Sequence, residues 1–341
     1  MSTENTKSFD PFAKEKQLQA ESNAWDISGA KEASDGDIPV IDLSDYFAYG
    51  SEASLQNVAT QLRIACQEVG FFSIIGHGIH SQLMDKTFEQ VRAFHHLPLD
   101  AKQALLMDRP EWPVGGIGYL PVKNRKLPAR DRGNLNETFI IKCDHDLNMD
   151  DNQWPPVADL PGFRAAVENY AEAMENLSRR LLPIVASALE MRATFFDEAF
   201  VDPLYRLRMT HYPPLLDKDT DEFGIAPHVD TSFFTILAQD KPGLSVFNER
   251  VQEWINVPLI KDAFIVNTGE LLKQWTNDRF ISAKHFANNN IGDDSRYSIP
   301  FFLNANANYK MECVPSCCGP DNPAKYPPIS YNESQGVVQG E

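Results

Sequence analysis

From residue 38 onward the chain carries two apolar rhythms, and the order in which they alternate predicts its elements. IPVIDLSDYF, residues 38–47, mixes Val40 and Ile41 with polar positions and reads as a first strand. Leu55, Val58, Leu62, Ala65, Cys66 and Val69 then recur at threes and fours, one stripe of a helix that Gly70 closes. GFFSIIGHGI, residues 70–79, is aromatic and β-branched, which predicts a buried strand ending in a Gly-rich turn. A helix from His80 towards His95 follows, with Leu83, Phe88, Val91 and Phe94 apolar and Pro98 as its breaker.

The second half opens with a longer helical pattern over 162–191. Phe163, Val167, Tyr170, Met174, Leu177, Leu181 and Ile184 form its stripe, read as core on which a sheet packs. LYRLRMTHYPPL then alternates strictly. Tyr205, Leu207, Met209 and His211 take one side; Arg206, Arg208, Thr210 and Tyr212 take the other. Polar groups on both sides of a strand that cannot have two solvent faces predict that the second set borders a cavity.

Between these elements lie less regular segments. Residues 1–37 are polar and charge-mixed, a solvated tail by composition. Residues 115–142 read as a Gly-rich passage able to line a pocket, with Tyr119, Lys123, Arg125, Asn136, Glu137 and Phe139 as candidates. Pro and Gly are too frequent after Ala305 for regular structure. The expected division is a tail at 1–37, a helical and strand region at 38–150, a β core with its supporting helix at 151–310, and a loop or lid at 311–341.

Composition narrows the function classes. A hydrophobic fraction of 43% within 341 residues suffices for a large core. The formal charge of -17 repels phosphate backbones and anionic membranes, so neither nucleic acid nor membrane is an expected partner. Five Cys without a regular framework point to free thiols in a reducing compartment, and no apolar run is long enough for a signal peptide or a membrane span. A cytoplasmic protein is expected. Cys313, Cys317 and Cys318 are clustered but supply too few ligands for a tetrahedral zinc site.

The chemistry concentrates between residues 224 and 304. In GIAPHVDTSFFTILAQD, His228 and Asp230 are two apart, so on a strand both point to one side and can meet one ion. His285 lies far enough along to cross the fold and return. Two His and one carboxylate on one face of an octahedral ion leave three positions open, the donor set of non-haem Fe(II) enzymes. Shortly after, Arg296 and Ser298 share one side of an expected strand in RYSIPFF and form a suitable carboxylate receptor. His77, between two Gly at a strand end, and His211, opposite in facing to Tyr212, are read as structural.

Three stretches, PHVDTSFFTILAQDKPGLSVF, FIVNTGELLKQWTNDRF and RYSIPFFLNAN, occur in this order. Through them the chain resembles the isopenicillin N synthase-like branch of the Fe(II)/2-oxoglutarate-dependent oxygenases, over most of residues 38–331. The resemblance implies a mainly β fold with flanking helices, a double-stranded β-helix (jelly-roll, cupin-like) core. It implies Fe(II) on His228, Asp230 and His285, 2-oxoglutarate as co-substrate and O₂ as oxidant. The far carboxylate of 2-oxoglutarate would reach Arg296, Ser298 and Tyr212, with Asn267 beside the site.

Some positions depart from the family pattern: Thr210 replaces a usual Asn, Glu270 a usual Asp, and Phe286 a frequent Arg. The implied reaction is hydroxylation of a small molecule, such as an amino acid, peptide or secondary metabolite. Desaturation and ring closure are alternatives. Two further readings stay open on the residues alone: an Fe(II) oxidase that binds a different carboxylate at Arg296 and Ser298, and a non-catalytic small-molecule receptor on the same barrel. The oligomeric state is left open as well.

Overall fold

Two sheets face each other in the computed structural model, which describes residues 29–107, 116–123, 133–143, 149–215, 223–290 and 292–334. The larger has eight strands: β2 (Val40–Asp42), β3 (Phe71–Ile75), β4 (Gly118–Leu120), β5 (Glu137–Cys143), β6 (Leu204–Tyr212), β8 (Phe234–Gln239), β11 (Phe264–Thr268) and β13 (Arg296–Asn304). Their spatial order is β2-β3-β11-β8-β13-β6-β5-β4. The smaller contains β1 (Lys31–Glu32), β7 (Ile225–His228), β9 (Leu244–Asn248), β10 (Glu253–Asn256) and β12 (His285–Ala287), ordered β1-β10-β9-β12-β7. This is the jelly-roll core.

Strand alternation divides the larger sheet into two faces with different tasks. Phe139, Ile141, Leu207, Met209, Ile236, Val266, Ile299 and Phe301 point outward into the main core. That core is completed by three helices, α2 (Glu52–Glu68), α3 (Ser81–His95) and α5 (Phe163–Ala188), while the short α4 (Leu99–Gln103) follows α3 and carries the buried Lys102. Phe94 lies 4.5 Å from Phe139 and 5.3 Å from Phe163 between ring centroids, so helix and sheet meet through aromatic rings. Burying each such side chain contributes about 1.5–3 kcal/mol. The opposite face of the same strands is left for the cavity.

Four expectations need correction. Residues 38–47 are not one strand, because the Asp42 carboxylate accepts the Ser44 backbone N–H at 2.9 Å and turns the chain into α1 (Ser44–Tyr49). Residues 29–37 are not only a tail, since β1 pairs in parallel with β10. The passage at 115–142 is partly strand, β4 pairing with β5 and β5 with β6; Arg125 lies outside the described residues. Finally, the described residues after 305 do not cover the cavity mouth. Met311, Val314 and Cys317 join the helical core, and the Val314 N–H reaches the Trp275 carbonyl at the end of α6 (Glu270–Trp275).

Candidate active site

β7 ends at His228, which is the ladder partner of His285 on β12. Asp230 therefore does not share a strand with His228, as its spacing suggested; it sits in the connection towards β8. That connection is held elsewhere. The Glu270 N–H donates to the Asp230 carbonyl at 2.8 Å, and a Cβ at Gly269 would lie 1.9 Å from the Ser232 carbonyl oxygen. Only glycine lets the two segments approach so closely.

The three side chains converge. His228 Nε2 and His285 Nε2 each lie 3.7 Å from Asp230 Oδ1. Each imidazole ties its Nδ1 to a carbonyl two residues earlier, Ala226 for His228 at 2.9 Å and Ala283 for His285 at 3.1 Å. A neutral ring donating from Nδ1 leaves the Nε2 lone pair for a metal. Burial pushes the His228 pKa down to about 3, so this ring is neutral at physiological pH. Asp230 divides its oxygens: Oδ2 accepts Thr235 Oγ1 at 2.7 Å and Asn267 Nδ2 at 2.8 Å, while Oδ1 faces the imidazoles. Burial alone would raise its pKa, but the two rings and these two donors outweigh it and keep the group a carboxylate. Two imidazoles and one carboxylate converging on one side of a cavity fit Fe(II).

Across the sheet, Arg296 pairs with Tyr212 and Ser298 with Thr210 on the β13–β6 ladder. The Arg296 guanidinium is 2% exposed. It donates from Nη2 to Gln239 Oε1 at 2.8 Å and from Nε to the Lys241 carbonyl at 3.1 Å, and it lies 4.5 Å from the Tyr212 ring centre. Its Nη1 is buried without a hydrogen-bond partner. A charged donor in that position fits a ligand carboxylate. The Tyr212 hydroxyl lies 3.4 Å from Ser298 Oγ, beside it. Gly243, at φ +143°, forms the close wall: a Cβ there would stand 2.8 Å from Arg296 Nε.

Triad and arginine open into one cavity between the two sheets, also lined by Arg208 and by apolar residues such as Ile225, Leu237, Leu244 and Phe302. Asn267 lines it too, but its amide is engaged with Asp230. Thr210 bonds to Thr138 instead. Sequence reasoning missed Thr235 and Gln239, which orient Asp230 and Arg296. Their signal lies only in strand pairing, since Thr235 stands opposite Asn267 and Gln239 opposite Ser298.

The described candidates of the 115–142 passage do not line the cavity. Asn136 bonds to the Gly224 carbonyl and Phe139 is in the core. Tyr119 and Glu137 belong to a separate buried cluster on the opposite face of the sheet. There Glu137 accepts Lys102 Nζ at 2.8 Å, the Tyr119 hydroxyl at 2.5 Å and His211 Nδ1 at 2.8 Å, with His95 Nδ1 at 3.4 Å. His211 is thus structural, and so is His77, whose Nε2 bonds the Asp262 carbonyl at 2.8 Å.

The chain is similar to known proteins. Residues 38–157 match the family described as "non-haem dioxygenase in morphine synthesis N-terminal", and residues 203–305 match the "2OG-Fe(II) oxygenase superfamily". The chain is 32% identical to a 2-oxoglutarate-Fe(II) type oxidoreductase, hxnY, of Emericella nidulans, over 86% of this chain and 87% of that protein. It is 34% identical to Kihadalactone A synthase LFS of Citrus sinensis, over 81% and 85% of the two chains. Among solved structures, a full-length Neurospora crassa protein in complex with alpha-KG superposes with a TM-score of 0.79 at 24% identity, covering 89% of this chain and 98% of that one. The rice dioxygenase for auxin oxidation gives 0.70 at 27% identity, covering 88% and 94%.

Proposed function

We propose that this chain, which belongs to the 2-oxoglutarate- and Fe(II)-dependent oxygenase superfamily, holds Fe(II) on His228, Asp230 and His285 and hydroxylates a small organic molecule in the cavity above them. It is an oxidoreductase of that class. Bound iron with 2-oxoglutarate supplies an oxidant from O₂, with succinate and CO₂ as co-products. The remaining work belongs to the side chains.

The two Nδ1–H···O=C bonds fix the tautomer and the aim of both imidazoles, leaving each Nε2 free to act as a ligand. Thr235 and Asn267 occupy Asp230 Oδ2 and leave Oδ1 as the oxygen that would hold the iron. Arg296 receives the distal carboxylate of 2-oxoglutarate, with Ser298 and Tyr212 beside it, which sets how far that molecule reaches towards the triad. The apolar walls exclude water and strengthen each of these contacts.

One observation carries the reading: the buried Arg296, with Nη1 unsatisfied, opens into the same cavity as the triad. Its test is anaerobic addition of Fe(II) and then 2-oxoglutarate, followed by the visible charge-transfer band of the chelate. The band is expected in the parent protein and its absence with iron bound would refute the co-substrate assignment. Hydroxylation is read from a substrate that stimulates succinate release and gains one oxygen; a product lighter by two hydrogens would indicate desaturation instead.

Apolar walls with a few convergent polar groups suit a small-molecule substrate. The N. crassa protein was also solved with thymine, and JOX2 was solved with 2OG, Fe and JA. No described helix is long and apolar enough to cross a membrane, and five free thiols support a reducing, cytoplasmic setting.

A further inference from the structure

Phe71, at the start of β3, is a cavity wall that neither the metal ligands nor the carboxylate receptor account for. Its ring is 1% exposed and packs on His285, with centroids 5.1 Å apart and planes at 65°. The Nδ1–H···O=C bond to Ala283 fixes one atom of that imidazole and not the tilt of its plane. An edge-to-face ring contact is directional and supplies the missing constraint.

The preceding residue shows how Phe71 is delivered there. Gly70 has φ +74°, and a Cβ on it would stand 2.9 Å from the Ile281 carbonyl oxygen and 3.3 Å from the Ala283 methyl. The strand therefore begins pressed against the segment that leads into His285. That segment is tied from behind as well, because the Ile281 N–H donates to the Cys66 carbonyl in the last turn of α2 at 2.9 Å. Gly70 thus backs the residue whose carbonyl holds Nδ1, and Phe71 backs the ring itself. Phe71 is also the ladder partner of Asn267, the residue that holds Asp230.

His228 is supported differently. Its side chain is 22% exposed against 8% for His285, and among the described residues the aromatic ring packed on it is that of His285 alone.

We infer that Phe71 is a positioning residue for the metal site: its ring sets the tilt of the His285 imidazole and so the direction of the Nε2 lone pair. This rests on the reading of His285 as an iron ligand. His285 is then the fixed histidine of the pair and His228 the adjustable one.

The test uses the full chain loaded anaerobically with Co(II) in place of Fe(II), read by proton magnetic resonance and by calorimetric titration of the metal. Two ligand imidazoles that keep Nδ1–H on a carbonyl should give two strongly shifted proton signals that vanish in D₂O. The one with a nuclear Overhauser contact to the Phe71 ring belongs to His285. Phe71→Leu and Phe71→Met, which remove the ring and keep an apolar side chain, should displace that signal and leave the His228 signal in place. They should also weaken Co(II) binding by about threefold to tenfold, the worth of an aromatic pair. Phe71→Tyr keeps the ring and should restore both signal and affinity.

Signals that move together, signals that stay where they are, or an unchanged metal affinity in the Leu and Met variants would overturn the inference. So would the lack of any contact between the Phe71 ring and a shifted imidazole proton in the unmodified protein, a result that needs no variant to fold. A parent protein that binds no Co(II), or shows no shifted imidazole protons, is a different failure and rejects the triad itself.

Discussion

His228 and His285 are directly opposed on one rung of the β7–β12 ladder, with ring centroids 4.2 Å apart. Each ring is braced by the carbonyl two residues before it, so one local device is used twice and the ladder brings the two copies together. Asp230 completes the set from outside the strand. His285→Ala should therefore remove high-affinity metal binding while leaving the sheet paired, because the ladder bonds are backbone bonds. Anaerobic calorimetric titration with Fe(II) or Co(II), with circular dichroism as the control for folding, checks it; unchanged metal affinity would reject the triad.

The two donors on Asp230 Oδ2 should matter almost as much as a ligand. Thr235→Val and Asn267→Ala each free that oxygen to rotate and are expected to weaken metal binding by roughly 10–100-fold. The same titration reads the effect. No change in either variant would mean that the carboxylate is oriented by its backbone alone.

Arg296 and Gly243 form a second linked pair. Arg296→Leu removes the charged partner of a carboxylate, worth about 1.5–3 kcal/mol, and should raise the 2-oxoglutarate midpoint by about tenfold or more. Gly243→Ala should act in the same direction without touching a charge, because its Cβ would press on Arg296 Nε from 2.8 Å and its φ of +143° disfavours a side chain. Titration of the chelate band distinguishes both from a loss of iron.

The Glu137 cluster should control stability. Glu137→Leu leaves the Lys102 ammonium buried without its carboxylate and is expected to cost about 3–5 kcal/mol, measured by urea unfolding. A loss near zero would mean that Lys102 escapes to solvent.

The same cluster gives stability an acid limb. Burial holds His95 below its ordinary value of 6.5, so as pH falls below that value the unfolded chain takes up a proton that the folded one refuses, and stability declines. Burial would raise the Glu137 pKa, but the bonds from His211, His95 and Lys102 hold it well below its ordinary 4.5. Its contribution is present above pH 4.5 and is lost progressively below. Tyr119 is the remaining partner and stays a neutral donor throughout this range. Glu137→Gln should flatten the decline below pH 4.5 in unfolding curves taken across pH; a decline of unchanged steepness there would assign it to other carboxylates.

Local pattern was enough for the helices, for β6 and β13, and for which residue types could bind iron and a carboxylate. Helical stripes and two-residue alternation depend on neighbours along the chain, and those are written in the sequence. It was not enough for Asp230, whose position depends on where β7 stops, nor for Thr235 and Gln239, which act only because β8 lies between β11 and β13. It also misplaced Tyr119 and Glu137, since the side of a strand that faces a cavity is decided by what packs on the other side. Here α3 and α5 cover the outer face of the large sheet and draw those residues into a buried polar cluster. The sequence determined the donors; strand pairing and helix packing decided which of them share one cavity.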